Sequence, residues 1–382
     1  MLPSDPRVPR NNVFANRSSV RISTNMDHKE DKNYIIGKED LVLVTGAAGF
    51  VGSKVVERLL ELGFRNVRCF VRPSRSSAKL QFLSTGINGT AHVEVFKGNL
   101  LSREDCVQAT LNAAVILHLA AGRGEKSYPD ALLNSVVTTR NIMEAAISHG
   151  SLRRFVSISS FAVYSNINKA RKWLLDESCP VEARPELRGD AYTFAKVKQD
   201  ELVVQYGNRL HIPYVIVRPG HVYGPGNEPI SARVGISTFG PFLHLGGSNT
   251  IPFTYVENCA EAIVLAGLKP GVDGEVFNVV DDDLPSSRHF LRLYKKNVAR
   301  FRSIYLPHWL SYMLCWFWER FSIWSEGQLP LAFNRRRWHA FWKRTRYSNK
   351  KLKERLGWVP RVSMTEGLRR YFEACRQRGV HA

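Results

Sequence analysis

None of the six cysteines (Cys69, Cys106, Cys179, Cys259, Cys315 and Cys375) stands in a CxxC pair or at the spacing of metal ligands. That absence removes the common zinc frames, so no metal is expected, and it points to reduced thiols in a cytoplasmic setting. The start of the chain lacks the apolar core of a secretory signal. Acidic residues are scarce: 34 Asp and Glu stand against 54 Lys and Arg, leaving a net charge of +20. Such a balance favours anionic partners, whether cofactor phosphates, acidic lipid head groups or nucleic acid. No nucleic-acid-binding module is legible, so nucleic acid is not expected among them.

Residues 1–38 lack periodic apolar positions and are rich in Arg, Asn and Ser, the composition of a disordered leader. The same start has features of an organellar transit peptide, against which Asp5 and the acidic "DHKED" at 27–31 count. The remaining length suits roughly two domains.

Order begins with "LVLVTGAAGFVGSKVVERLLELG". Leu41 to Val44 form an apolar run, a Gly-rich turn follows, and Val55, Val56, Leu59 and Leu60 repeat at helical spacing. Gly46 permits a tight turn, Gly49 lets backbone amides approach a pyrophosphate, and Gly52 lets the helix pack closely on the strand. The next strand ends near Val71 with no acidic residue for ribose hydroxyls. Arg72, with Arg75 after it, stands there instead, where a guanidinium pairs with a 2′-phosphate, so NADP is expected over NAD. Strands at 92–100, 114–121, 155–160 and 214–220 alternate with helical segments. This rhythm specifies an α/β fold, a doubly wound parallel (Rossmann) sheet with ligands at the strand C-terminal ends.

In "DAYTFAKVKQDELV" Tyr192 and Lys196 are four apart on a helical pattern, so both project from one face. A tyrosine with its usual pKa of about 10 is a poor base at neutral pH, and a fixed ammonium beside it favours the phenolate.

The ordered set "TGAAGFVG", "GNL", "HLAA", "SSFAVY", "YTFAK" and "RPGHVYGPG" resembles the extended short-chain dehydrogenase/reductase family of the NAD-dependent epimerase/dehydratase type, from about residue 40 to 280. The resemblance implies a dinucleotide-binding domain over 39–225 and a smaller, mainly helical substrate domain over 226–382, with 255–280 returning to the first. It implies that Ser160 hydrogen-bonds the reacting oxygen, Tyr192 exchanges its proton, and Lys196 binds the nicotinamide ribose. Ser160 is preferred to Ser159 because it lies four before Tyr164, as the family's serine does. The cofactor contacts carried over are Gly46, Ala48, Gly49, Phe50, Val51, Gly52, Asn99, Leu100, Leu119, Ala120, Ala121, Lys196 and Pro219, joined by Arg72. Asn99 stands where the family usually has Asp, and an amide still hydrogen-bonds there. Asn134 and Asn258 are expected to cap helices. His221 replaces the Asn that contacts pyrophosphate in nucleotide-sugar members, or is a structural turn residue.

The stretch 304–324, "IYLPHWLSYMLCWFWERFSIW", has Pro307 to start a helix, a small or polar stripe of His308, Ser311, Cys315, Glu319 and Ser322, and aromatic residues elsewhere. Its uninterrupted apolar part ends at Trp318, short of a membrane span, and its tryptophans suit a lipid interface. The segment 334–355 interleaves Arg and Lys with Trp, Phe and Tyr, as against anionic head groups. These features predict a peripheral membrane protein; a core helix or an oligomer interface, with a homodimer as the assembly considered, is the other reading. "LPHWLSYMLCWFWERF" and "FTYVEN" resemble the 3β-hydroxysteroid dehydrogenase and sterol-4α-carboxylate 3-dehydrogenase branch, whose members are membrane-associated. The expected function is hydride transfer to or from a secondary alcohol or ketone of an apolar, sterol- or isoprenoid-like small molecule. A nucleotide-sugar epimerase or dehydratase is the alternative, and a catalytically lapsed nucleotide-binding or nucleic-acid-binding protein the third.

Overall fold

The computed structural model describes residues 33–76, 78, 80, 91–122, 127–168, 173–227, 230–237, 240–326, 328–331 and 333–379, so most of the leader expected at 1–38 lies outside the described residues. Seven apolar runs form one sheet: β1 (Leu41–Thr45), β2 (Asn66–Val71), β3 (His92–Lys97), β4 (Ala113–His118), β5 (Arg154–Ile158), β6 (Tyr214–Pro219) and β7 (Val276–Val279). Their order is β3-β2-β1-β4-β5-β6-β7, with every neighbouring pair parallel.

Parallel neighbours require crossovers, and helices accordingly cover both faces. Val42 and Val44 of β1 pack with α1 (Gly52–Glu61) on one face, whereas Leu43 points to the other, among residues of α2 (Thr138–His149) and α3 (Ala191–Leu210). The helix α4 (Val256–Leu268) joins α1 on the first face. The doubly wound α/β fold is therefore as the sequence predicts. Strand order reverses between β1 and β4, and the crevice at their C-terminal ends is where such sheets take ligands.

Beyond residue 280 the helix α5 (His308–Trp324) starts after Pro307, as expected. Ile304 and Tyr305, at the start of the 304–324 stretch, instead belong to a strand, Ser303–Tyr305, paired with Phe242–His244. The polar stripe of α5 faces inward: Ser311, Cys315 and Ser322 are its buried residues. Small side chains let it lie close to α6 (Arg335–Phe341), where Trp338 Nε1 donates to Ser311 Oγ at 2.9 Å and Arg335 grips the Glu319 carboxylate with two nitrogens at 3.0 Å. Its apolar face turns outward, with Trp309 65%, Phe317 54% and Trp324 76% exposed, so this face is not a core surface. Among the described residues no helix is long and apolar enough to cross a membrane.

The segment 334–355, expected against head groups, is folded into the protein. Trp338 and Trp342 are buried, Arg336 pairs with Glu182 at 2.7 Å, and Lys343 donates to the Asn166 carbonyl at 2.7 Å. Remote acids and carbonyls meet these cations, which a local charge pattern does not reveal.

Candidate active site

The turn after β1 is built for close approach. Gly46 has φ +69°, and a Cβ there would come within 3.0 Å of Ala120 N; at Gly52 it would lie 2.2 Å from the Gly46 carbonyl oxygen. Leu119 N and Ala120 N both donate to Thr45, to its carbonyl and its hydroxyl at 3.2 Å, so the end of β4 and Ala121 after it form the opposite lip. Ala48, Gly49, Phe50 and Val51 make up the turn, and Val51 is the cap residue of α1. The first turn of α1 carries no acid, leaving its amide dipoles free to favour an anion. Asn99 is exposed, with Oδ1 accepting from Leu101 N at 3.1 Å, and Leu100 beside it is buried. Arg72 follows β2 on the exposed rim, and its carbonyl accepts from Arg75 N at 3.0 Å. Pro219 ends β6. A cradle of this shape, with no acid in the first turn of α1, fits a dinucleotide.

The sequence places Tyr192 in the first turn of α3, and Asp190 fixes that turn by accepting from Tyr192 N at 3.2 Å and Thr193 Oγ1 at 2.5 Å. Tyr192 is half-buried. One turn on, Lys196 is only 3% exposed; its ammonium donates to the Ile158 carbonyl at 2.6 Å and Gln199 Oε1 at 2.8 Å. The helix is thereby pinned to the end of β5, two residues before Ser160. Ser160 is partly exposed and its Oγ accepts from Ala162 N at 3.1 Å, whereas Ser159 is buried. The hydroxyl proton of Ser160 thus remains for a ligand oxygen.

A buried network behind Lys196 was not legible as a unit. Gln199 Nε2 donates to Thr139 Oγ1 at 2.9 Å, and Thr139 gives its own proton to the Ser135 carbonyl at 2.6 Å. Thr139 must therefore accept from His118 Nε2 at 3.0 Å as well. His118 Nδ1 is then the acceptor, taking the proton of Thr45 Oγ1 at 2.9 Å. Burial, and then the nearby Lys196 charge, push the His118 pKa down to about 3, so the ring stays neutral. The network runs from the proton-handling helix to the first residue of the Gly-rich turn. Its signal in the sequence was a histidine ending an otherwise apolar strand.

Two expected caps are corrected. Asn134 lies inside the wider-wound turn Leu132–Val137 and donates to the Asp130 carbonyl at 2.9 Å; Ser127 caps the helical run. Asn258 sits inside α4, whose cap is Tyr255 because a strand runs straight into the helix. Its amide donates to Asp281 Oδ1 at 3.0 Å and the Val362 carbonyl at 2.8 Å, tying the C-terminal segment down. His221 belongs to the short strand His221–Tyr223, with its ring centroid 5.6 Å from that of Phe253.

The model of the NAD dependent epimerase/dehydratase family matches residues 42–279. A trifunctional UDP-glucose 4,6-dehydratase/UDP-4-keto-6-deoxy-D-glucose 3,5-epimerase/UDP-4-keto-L-rhamnose-reductase of Arabidopsis thaliana is 30% identical over 258 residues, covering 62% of this chain. The chain spans 36% of that relative's length. The decarboxylating sterol-4-alpha-carboxylate 3-dehydrogenase of Mus musculus is 22% identical over 351 residues, 88% of this chain and 91% of the relative. The solved UDP-glucuronic acid 4-epimerase from Bacillus cereus, in complex with NAD, shares the fold with a TM-score of 0.64 at 23% identity, over 89% of this chain and 100% of that one.

Proposed function

The chain belongs to the NAD dependent epimerase/dehydratase family, and on that footing we propose that it is an NAD(P)-dependent oxidoreductase acting on a secondary alcohol or ketone of an apolar, sterol- or isoprenoid-like substrate at a membrane surface. The nicotinamide, when bound, supplies or accepts the hydride. Ser160 donates a hydrogen bond to the reacting oxygen, and Tyr192 takes or returns its proton. Lys196, held by Ile158 and Gln199, keeps a positive charge one helical turn from Tyr192 and favours the phenolate. Arg72 on the rim beyond β2 supports a preference for NADP.

The observation that carries the substrate class is the outward apolar face of α5. Met313, Leu314, Phe317, Phe321 and Trp324 form a contiguous exposed patch on a protein of net charge +20, the surface an acidic bilayer attracts. A second reading, a nucleotide-sugar epimerase or dehydratase, is favoured by the activities for which the Arabidopsis thaliana relative is named and uses the same Tyr192 chemistry.

Tyr192→Phe tests the common core. With the small molecule that co-purifies, and with a panel of steroid and isoprenoid alcohols, the variant should lose hydride transfer, by about 100-fold or more, while cofactor affinity measured by fluorescence titration stays unchanged. Full turnover in the variant ends the assignment.

A further inference from the structure

Three guanidinium groups converge on one ring in the substrate half. The Cζ atoms of Arg188, Arg233 and Arg337 lie 5.9, 5.1 and 5.8 Å from the centroid of Phe341. Arg188 is the most confined of them. It is 1% exposed, its Nη1 donates to the Ala162 carbonyl, and its Nε has no hydrogen-bond partner.

Two carboxylates act on Arg188, those of Asp190 and Glu182, and each also holds other donors. Glu182 Oε1 accepts from Arg336 at 2.7 Å, and both oxygens of Asp190 are taken by Tyr192 N and Thr193 Oγ1. Arg233 spends its Nη1 on the Ala340 carbonyl at 3.0 Å and meets the Tyr347 hydroxyl at 3.5 Å. Burying a cation is costly, and for Arg188 the pull of the two acids, one carbonyl and a shared ring face do not offset its desolvation. Mutual repulsion adds to that cost. Burial holds the Arg188 pKa down at about 10, against the pull of Asp190 and Glu182 and with the push of Arg233 and Arg337, still far above neutrality. An arrangement of this kind is completed by an anion, for which the planar donor fork of arginine is suited.

Its position is beside the chemistry. The Ala162 that takes the Arg188 bond is two residues past Ser160 and donates its own N–H to Ser160 Oγ at 3.1 Å. Tyr347, which meets Arg233, stacks on Phe161 at 5.6 Å between ring centroids. Arg188 itself lies four residues before Tyr192.

We propose that Arg188, Arg233 and Arg337, gathered around Phe341, form a subsite for an anionic group of the substrate, a carboxylate or a phosphate, next to Ser160. The proposal rests on the catalytic reading of Ser160 and Tyr192. It narrows the substrate to a molecule bearing a fixed negative charge near the reacting carbon.

Isothermal titration of the full chain with inorganic phosphate, pyrophosphate and succinate tests it. The protein is first saturated with NAD or NADP, so that the Gly-rich turn is filled, and ionic strength is held with chloride. The wild type should bind at least one of these anions, and Arg233→Gln and Arg188→Met should each weaken that binding tenfold or more with cofactor affinity unchanged. A preference for pyrophosphate assigns a phosphoryl substrate, and one for succinate a carboxylic acid. No anion binding by the wild type, or equal binding by both variants, overturns the subsite. Where Arg188→Met does not fold, Arg233→Gln alone decides, and unchanged anion affinity in it is the overturning result. Failure of the wild type to bind either cofactor counts against the oxidoreductase reading instead, and the Arg233→Gln comparison, run without cofactor, still judges the subsite.

Discussion

The ammonium of Lys196 donates to the carbonyl oxygen of Ile158 at 2.6 Å, which ties the helix carrying Tyr192 to the end of the strand that leads to Ser160. A second bond, to Gln199 Oε1 at 2.8 Å, holds the same ammonium from its own helix. The position of Lys196 is thus set by two neutral acceptors, and its positive field, tempered by the buried Asp200 carboxylate, acts on Tyr192.

Gln199→Glu should weaken that field. A carboxylate in place of the amide would pair with Lys196, raise the Tyr192 pKa and move the limb of the kcat–pH profile for alcohol oxidation to higher pH by about one unit. A profile identical to the wild type would mean that Gln199 only fills space. Gln199→Leu removes the acceptor without adding charge, and should lower kcat by roughly 10-fold through a misplaced Lys196.

Arg72→Asp should reverse cofactor choice. Losing a guanidinium–phosphate pair at the rim of β2 costs NADP on the order of 1 to 3 kcal/mol, and the new carboxylate suits the ribose hydroxyls of NAD. Affinities for the two cofactors, measured side by side, give the answer; an unchanged ratio leaves Arg72 a solvated loop residue.

Trp316→Ser with Phe317→Ser should release the protein from liposomes containing anionic lipid without unfolding it. Both side chains are exposed, so truncation costs little stability, on the order of 0.5 kcal/mol each, whereas two buried aromatics would cost about 3 to 5 kcal/mol each. Raised salt should weaken the binding of the wild type only in part, because the basic segment 334–355 is folded against the protein and the apolar face remains. Flotation and thermal melting separate the outcomes. A wild type that ignores liposomes at low salt, or that dimerises through this face, removes the membrane reading.

Asp281 should make stability fall with rising pH. Its carboxyl is pushed up to about 7, chiefly by burial, despite the bonds it accepts from Tyr255 N and Asn258 Nδ2. A carboxyl whose folded pKa exceeds its unfolded one of 3.8 binds more protons when folded. Its contribution is therefore fully present below about pH 4 and lost as pH rises to about 7, a change on the order of 4 kcal/mol. His118, depressed to about 3, acts in the opposite sense over the same range. The wild type is therefore compared with Asp281→Asn by denaturant unfolding from pH 4 to 7; a constant difference between the two would remove Asp281 as a titrating group.

Much of the nucleotide half was legible because its information is local. A strand of apolar residues, glycines at 46, 49 and 52, and a helix with a core-facing stripe encode strand, turn and helix within a dozen neighbours. Tyr192 and Lys196 were legible for the same reason, since four residues on a helix place two side chains on one face. Roles set by distant partners were not. Asn258 read as a cap, and its amide is spent on Asp281 and on Val362, 104 residues away.

By itself, the sequence determined the parallel sheet, the Gly-rich turn, the helix bearing Tyr192 and the two-faced character of 308–324, all consequences of short-range periodicity and backbone sterics. Only the tertiary structure decided which face of α5 turns inward. Periodicity separates two faces without ranking them, and the choice fell to the small side chains Ser311, Cys315 and Ser322, which let α6 approach and give Trp338 a hydrogen-bond partner. It likewise decided that Arg188 lies buried beside Ala162 with Arg233 and Arg337 across one ring, because segments far apart in the chain fold together and a lone arginine in sequence carries no record of its burial.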